Sequence, residues 1–170
     1  VDNPDLPVDR QLLPPRSTGA AGGAARVAGS VPHLGPAGTE SIPLRFETVA
    51  KRDPDALAVI TEDTTLTYGT LLARVEGVAR KVAGSGPGDG PVGVLVGQDA
   101  GVALGLLGVL RSGRAYVPLD VAYPDARLRT MVQDAGVEVV VTTGALARRA
   151  LGLMGEGGRV IELDAGDPTE

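Results

Sequence analysis

The feature that most constrains this chain is a regular alternation of short apolar runs with longer segments of helical periodicity, sustained from Ala56 to Leu163. Four of the runs, VGVLV (92–96), AYVPL (115–119), VEVVVT (137–142) and RVIEL (159–163), are five or six residues long, and the first and third are rich in valine. Runs this short and this apolar suit strands covered on both faces, and the segments between them repeat their apolar residues every three to four positions. Strand, helix, strand in that order specifies an α/β domain: a layered, mainly parallel sheet with helices on both faces. There is no internal repeat.

The helical segments carry their own start and stop signals. IPLRFETVAKRDPD gathers Leu44, Phe46, Val49 and Ala50 on one apolar face before Asp53-Pro54 halts the helix. ALAVIT (56–61) and TLTY (65–68) follow as a hairpin joined by Glu62-Asp63-Thr64. In GTLLARVEGVARKVAG, Leu71, Leu72, Val75, Val78, Ala79 and Val82 fall at helical spacing, with Gly84 as the end. Further helices are expected from about Asp99 to Ser112, over PDARLRTMVQDA (124–135) and near ALARRALGLM (145–154). In the second of these Pro124 suits the first turn, Leu128, Met131, Val132 and Ala135 make one face, and Gly136 suits the C-terminal cap. Residues 1–40, with proline pairs and the run STGAAGGAARVAGS, read as a linker or disordered, flexible arm preceding a domain at 41–170. The alternative is that LPVDRQLLP packs on a neighbour through Leu6, Val8, Leu12 and Leu13.

Composition removes several classes of function. A net charge of -5 and a pI near 4.9 speak against a nucleic-acid partner, which calls for a basic face. The absence of cysteine excludes disulfides, thiolate nucleophiles and thiolate-bound metals. The opening VDNPDLPVDRQ lacks the basic and apolar regions of a signal peptide, and the densest apolar stretch, VALGLLGVL (102–110), is too short to span a bilayer. A cytoplasmic protein with no membrane contact is the expectation.

The candidate motifs favour architecture over chemistry. GSGPGDGP (84–91) is glycine-rich, but it follows a helix and precedes a strand. A phosphate cradle needs the opposite order, with free N–H groups of a helix N-terminus aimed at the anion. Thr142-Thr143-Gly144 has the right polarity, yet a single glycine and no following lysine make Thr143 a plain helix N-cap. His33 has no second histidine, which leaves neither a Ser/His/Asp triad nor a histidine metal cluster. Asp120 and Asp125 read as a strand end and a first-turn helix acid rather than a catalytic pair. No catalytic, cofactor-binding or metal-ligating residue is assigned.

The most specific stretch is LRSGRAYVPLD, Leu110 to Asp120, where tyrosine, proline and aspartate gather in a chain that is only 2% aromatic. It resembles the second core motif, LKAGxAYVPID, of amino-acid adenylation domains of nonribosomal peptide synthetases, within the adenylate-forming (AMP-binding) ligase superfamily. Arg111, Ser112 and Leu119 are the substitutions. Leu66-Thr67-Tyr68-Gly69-Thr70-Leu71 resembles the first core motif, with Thr70 where the family has glutamate. AYPDARLRTMVQDA and RDPDALAV resemble the flanking segments, so the likeness covers about residues 42–163. It implies the N-terminal part of an adenylate-forming enzyme fold, with Gly113 turning the chain, Pro118 ending the strand ladder and Asp120 organising the next loop.

The resemblance also implies an activity that this stretch does not carry. The family joins an amino-acid carboxylate to AMP from ATP and passes it to a carrier-protein phosphopantetheine. ATP and Mg²⁺ belong to the complete enzyme, and no cofactor is expected in this chain. The family's phosphate loop resembles TSGTTGxPKG and has no match here, and the lysines Lys51 and Lys81 precede the second motif. The expectation is a fragment truncated before that loop and inactive alone, whose partner is the rest of the domain or a complementing chain. The alternatives are a fragment of an aryl-acid or acyl-CoA synthetase, or a non-catalytic interaction remnant.

Overall fold

The computed structural model describes residues 40–62, 64–86 and 88–163. The arm expected at 1–40 lies outside these residues except for Glu40, as does His33.

Helix α1 (Ile42–Arg52) begins with Pro43 in its first turn and ends at Asp53. An antiparallel hairpin follows, β1 (Leu57–Ile60) with β2 (Thr65–Thr67), carrying an irregularity between Leu57 and Val59. Tyr68, expected as the last strand residue, is instead the first residue of α2 (Tyr68–Ala83). The reason is Thr67, whose hydroxyl accepts the Thr70 amide at 3.2 Å and starts the helix one residue early. The four central strands are β3 (Val92–Val96), β4 (Tyr116–Asp120), β5 (Val139–Thr143) and β6 (Arg159–Leu163). Between them run α3 (Gly101–Arg111), α4 (Asp125–Asp134) and α5 (Gly144–Met154).

The four strands are parallel, in the order β4-β3-β5-β6. Alternation along them divides the core in two. Val92, Val94, Val139, Val141, Ile161 and Leu163 point to one face, where they meet Leu71, Val75, Val78 and Val82 of α2 and Leu104 and Val109 of α3. Leu95, Leu119 and Val140 point to the other, against Leu128 and Val132 of α4 and Ala150 and Leu153 of α5. This is the period of two that a sheet imposes, read against the 3.6 of its covering helices. The hairpin and α1 extend the first face through Leu66, Ala58, Val59 and Phe46. Glu47 pins α1 to α3, accepting from Lys51 at 2.6 Å and from Arg111 at 2.8 Å.

Two strand expectations change. VEVVVT does not begin as a strand at Val137, because the Val137 amide reaches back to the Val132 carbonyl (2.9 Å) and the Gly136 amide to Gln133 (3.1 Å). That pair of bonds, with Gly136 at φ 65°, is the left-handed helix ending that only glycine adopts cheaply. Pro118 does not end the ladder either: it pairs with Val94, and β4 continues to Asp120 opposite Val96. A proline is tolerated there because β4 is an edge strand and position 118 faces away from β3.

Candidate functional site

In an open parallel sheet, ligands bind beyond the carboxyl ends of the strands where the connections diverge. Here β3 feeds α3 and β4 on one side, while β5 feeds α5 and β6 on the other. The crevice therefore opens after β3, at Gly97-Gln98-Asp99, and after β5, at Thr143-Gly144. Asp99 is already committed, its carboxylate accepting the Gly101 amide at 2.7 Å where α3 begins. Thr142 is fully buried and its hydroxyl donates to the Leu95 carbonyl at 2.5 Å, stitching β5 to β3 at the mouth of the crevice.

Thr143 occupies the N-cap position of α5 with extended backbone, but its side chain makes no capping bond. The Glu162 carboxylate of β6 lies near this helix start: a Cβ on Gly144 would lie 3.1 Å from it.

The glycine-rich loop lies at the opposite, amino edge of the sheet. There Ser85, Gly86, Gly88, Arg114, Glu138 and Arg159 border a cavity of about 310 Å³. Arg114 donates to the Gly90 carbonyl (2.7 Å) and to the Ser85 hydroxyl (3.3 Å), and Arg159 donates to the Ser85 carbonyl. Helices that run antiparallel to the strands bring their negative ends to this edge, and the two arginines serve carbonyl and hydroxyl groups there.

The loop after β4 is the best-built feature of the carboxyl edge. The Asp120 carboxylate accepts the Ala122 amide at 2.8 Å and its carbonyl accepts the Tyr123 amide at 3.0 Å. Sequence reasoning missed the second tie. Arg149 of α5 donates at 2.8 Å to the Asp125 carboxylate, the Val121 carbonyl and the Tyr123 carbonyl. The Arg127 guanidinium lies 3.9 Å over the Tyr123 ring. Asp120 and Asp125 thus serve separate partners, the Ala122 amide and Arg149.

Among the described residues no three histidines, cysteines or carboxylates gather as metal ligands. Lys51 is bonded to Glu47.

Comparison with known proteins agrees with this framework. The family model described as AMP-binding enzyme matches residues 46–169. A linear gramicidin synthase of Brevibacillus parabrevis is 38% identical over 118 residues, 69% of this chain and 2% of that protein. Polyketide synthase PksN of Bacillus subtilis (strain 168) is 36% identical over 120 residues, 70% of this chain and 2% of that protein. The chain therefore spans about 2% of the length of these curated relatives. The nonribosomal peptide synthetase FmoA3, solved with α-methyl-L-serine-AMP, superposes with a TM-score of 0.66 at 30% identity, covering 75% of this chain and 14% of that one. The N-terminal subdomain of Klebsiella oxytoca NpsA shares the fold at a TM-score of 0.59 and 18% identity, over 71% of this chain and 31% of its own. With the core motif seated on β4, its turn glycine before it and its aspartate ordering the next loop, the chain belongs to the AMP-binding enzyme family, as the N-terminal portion of an adenylation domain of the nonribosomal-peptide-synthetase type.

Proposed function

We propose that this chain is the first α/β layer of an enzyme that activates an amino acid, and that it does not turn over by itself. In the full reaction a carboxylate oxygen attacks the α-phosphorus of ATP, the bond to the β-phosphate oxygen breaks, and pyrophosphate leaves. The phosphopantetheine thiol of a carrier protein then attacks the acyl carbon of this mixed anhydride, forming a thioester as the bond to the phosphate oxygen breaks and AMP leaves. Such chemistry needs fixed positive charge and aligned donors on the developing negative charge. Among the described residues, the helix start at the crevice has the Glu162 carboxylate nearby. Their part is scaffolding: a rigid carboxyl edge with an ordered β4–α4 loop.

The observation that carries the reading is the seating of the adenylation core motif, residues 110–120, across the end of α3, the turn and β4. The distribution of exposed apolar residues favours an incomplete layer over a self-sufficient binding remnant. Ile42 and Leu44 of α1 and Leu57 and Ile60 of β1 are all exposed in one part of the chain, where a finished surface would be polar. Cytoplasmic residence accompanies the use of ATP; no described helix is long and apolar enough to cross a membrane.

The test is amino-acid-dependent ATP–pyrophosphate exchange, measured on the 170-residue chain and on the longest polypeptide its coding sequence specifies. The expected result is a blank for the former and exchange for the latter with one or a few amino acids. Exchange by the short chain above a blank overturns the inactivity. Exchange with aryl or fatty acids alone moves the protein to that branch of the superfamily, and a blank throughout leaves the binding-remnant reading.

A further inference from the structure

The cavity at the amino edge of the sheet is lined by charges that do not pair with one another. Arg114 stands two residues before β4 and Arg159 opens β6, strands that lie three spacings apart, about 14 Å. Their guanidinium groups nevertheless converge on one residue. Arg114 Nη1 donates to the Ser85 hydroxyl and Arg159 Nη1 to the Ser85 carbonyl. Two groups that stay charged at any ordinary pH thus share a neutral partner. Among the described residues neither makes an ion pair. Gly86, at φ 138°, lets the loop close on the second of them: a Cβ there would lie 3.0 Å from Arg159 Nη1.

The bonds made in the cavity leave donors over. A guanidinium carries five N–H groups. Arg114 spends them on the Gly90 carbonyl and the Ser85 hydroxyl, and Arg159 on the Ser85 carbonyl alone. The Ser85 hydroxyl gives its own proton to the Val82 carbonyl at 2.6 Å, so it adds a lone pair to the site and no donor. Glu138 borders the same cavity and is ion-paired with neither arginine. Two positive groups against one negative leave the lining a single positive charge in excess. The volume of about 310 Å³ is at the small end for ligand sites, and buried Val139 gives it an apolar floor.

We propose that this cavity binds a small molecule bearing one carboxylate, whose oxygens take the spare N–H groups of Arg114 and Arg159. A planar carboxylate matches the guanidinium fork, and one negative charge balances the lining. A doubly charged anion meets the same donors but is opposed by Glu138. The inference stands independently of the proposed function.

Nuclear magnetic resonance titration of the isotope-labelled 170-residue chain tests it. Sodium butyrate is the singly charged probe and sodium sulfate the doubly charged one, both in about 0.15 M sodium chloride to hold screening constant. Butyrate should give saturable amide shifts at Ser85, Gly86 and Val139 with a Kd below about 10 mM, and should bind more tightly than sulfate. Arg114→Met and Arg159→Met should each weaken butyrate by at least about tenfold. Both arginines also hold the loop, so Glu138→Gln separates binding from loop damage. Removing that carboxylate should tighten sulfate by at least about threefold, and sulfate more than butyrate, a gain that a damaged loop does not produce. A butyrate Kd above about 10 mM overturns the proposal. So does sulfate binding the parent chain as tightly as butyrate, undiminished butyrate affinity in either arginine variant, or sulfate affinity that fails to rise in Glu138→Gln.

Discussion

Replacing Gly108 by alanine tests the packing on which the first face of the sheet depends. Helix α3 crosses α2 at this residue, and a Cβ built on it would lie 2.4 Å from Val78 Cγ1 and 2.6 Å from Val78 Cβ. Carbon atoms in contact sit about 3.5–4.0 Å apart, so the helices must separate by about 1 Å or Val78 must move. Val78 is buried and β-branched, with little rotamer freedom inside a helix. In an exposed helix interior the same change would stabilise by about 1 kcal/mol through propensity. Overpacking a tight core costs about 1–3 kcal/mol, and contact with a Cβ rather than a flexible tip places this case near the upper end. The net expectation is a loss of about 1–2 kcal/mol.

Urea unfolding followed by circular dichroism measures it, as a lower midpoint at unchanged slope. Val78→Ala alone should cost about 2 kcal/mol through its cavity. In the Gly108→Ala background it should cost far less, because the new methyl fills the space, giving a coupling of at least about 1 kcal/mol. Gly152→Ala supplies the control: it is an exposed helix position on α5 with nothing within 4 Å of a new Cβ, and it should gain up to about 1 kcal/mol. Gly108→Ala as stable as the parent, or a double variant additive within about 0.3 kcal/mol, would refute the close-approach argument.

Thr70→Glu should stabilise α2 by about 0.5–1 kcal/mol in the same urea assay. Position 70 is the third residue of the helix, Thr67 is its cap, and the Tyr68 amide bonds the Ala56 carbonyl, which turns the Thr67 amide away from β1 and within reach of a glutamate. Arg149→Met removes three hydrogen bonds from the β4–α4 loop and should destabilise by about 1–3 kcal/mol, with faster amide exchange at Ala122 and Tyr123. The Lys51 hydrogen bond, more than the nearby Arg111 and Lys51 charges and against partial burial, holds the Glu47 carboxyl below its ordinary range. Its folded state binds the proton less tightly than its unfolded state, so the anchoring of α1 is complete above the ordinary glutamate range. It is lost as pH falls through the lowered value. Thermal melts across acid pH should show this decline, and Glu47→Gln should remove that component.

Strands and helices were legible because their apolar residues repeat at two and at 3.6, and the core inherits those periods directly. Val92, Val94, Val139 and Val141 share one face and Leu95 and Val140 the other, as alternation requires. What was misread lies at element ends, where a local hydrogen bond overrides propensity. Val137 has a strand former's side chain, but its amide closes the end of α4. Tyr68 has an aromatic strand former's side chain, but Thr67 before it caps a helix. Pro118 was misread for a different reason: whether a proline stops a ladder depends on which way its nitrogen points, and that phase belongs to the assembled sheet.

The candidate site divides along the same line. Asp120 was legible as a loop organiser because its bond to the Ala122 amide spans two residues. Arg149 was not, because its partners lie 24 to 28 residues away on another element, and an arginine inside a helix pattern carries no sign of them. Glu162 at the start of α5 depends on β6 lying beside β5, again a property of topology. In LRSGRAYVPLD each unusual residue answers a backbone demand: Gly113 a left-handed turn at φ 85°, Pro118 an outward-facing edge position, Asp120 a fixed loop. Such demands tolerate few residue types, so the motif identifies the family through its architecture. Reactive groups obey no comparable local rule, since they must only converge in space. The residues that identify the family in this chain are therefore those that answer backbone demands.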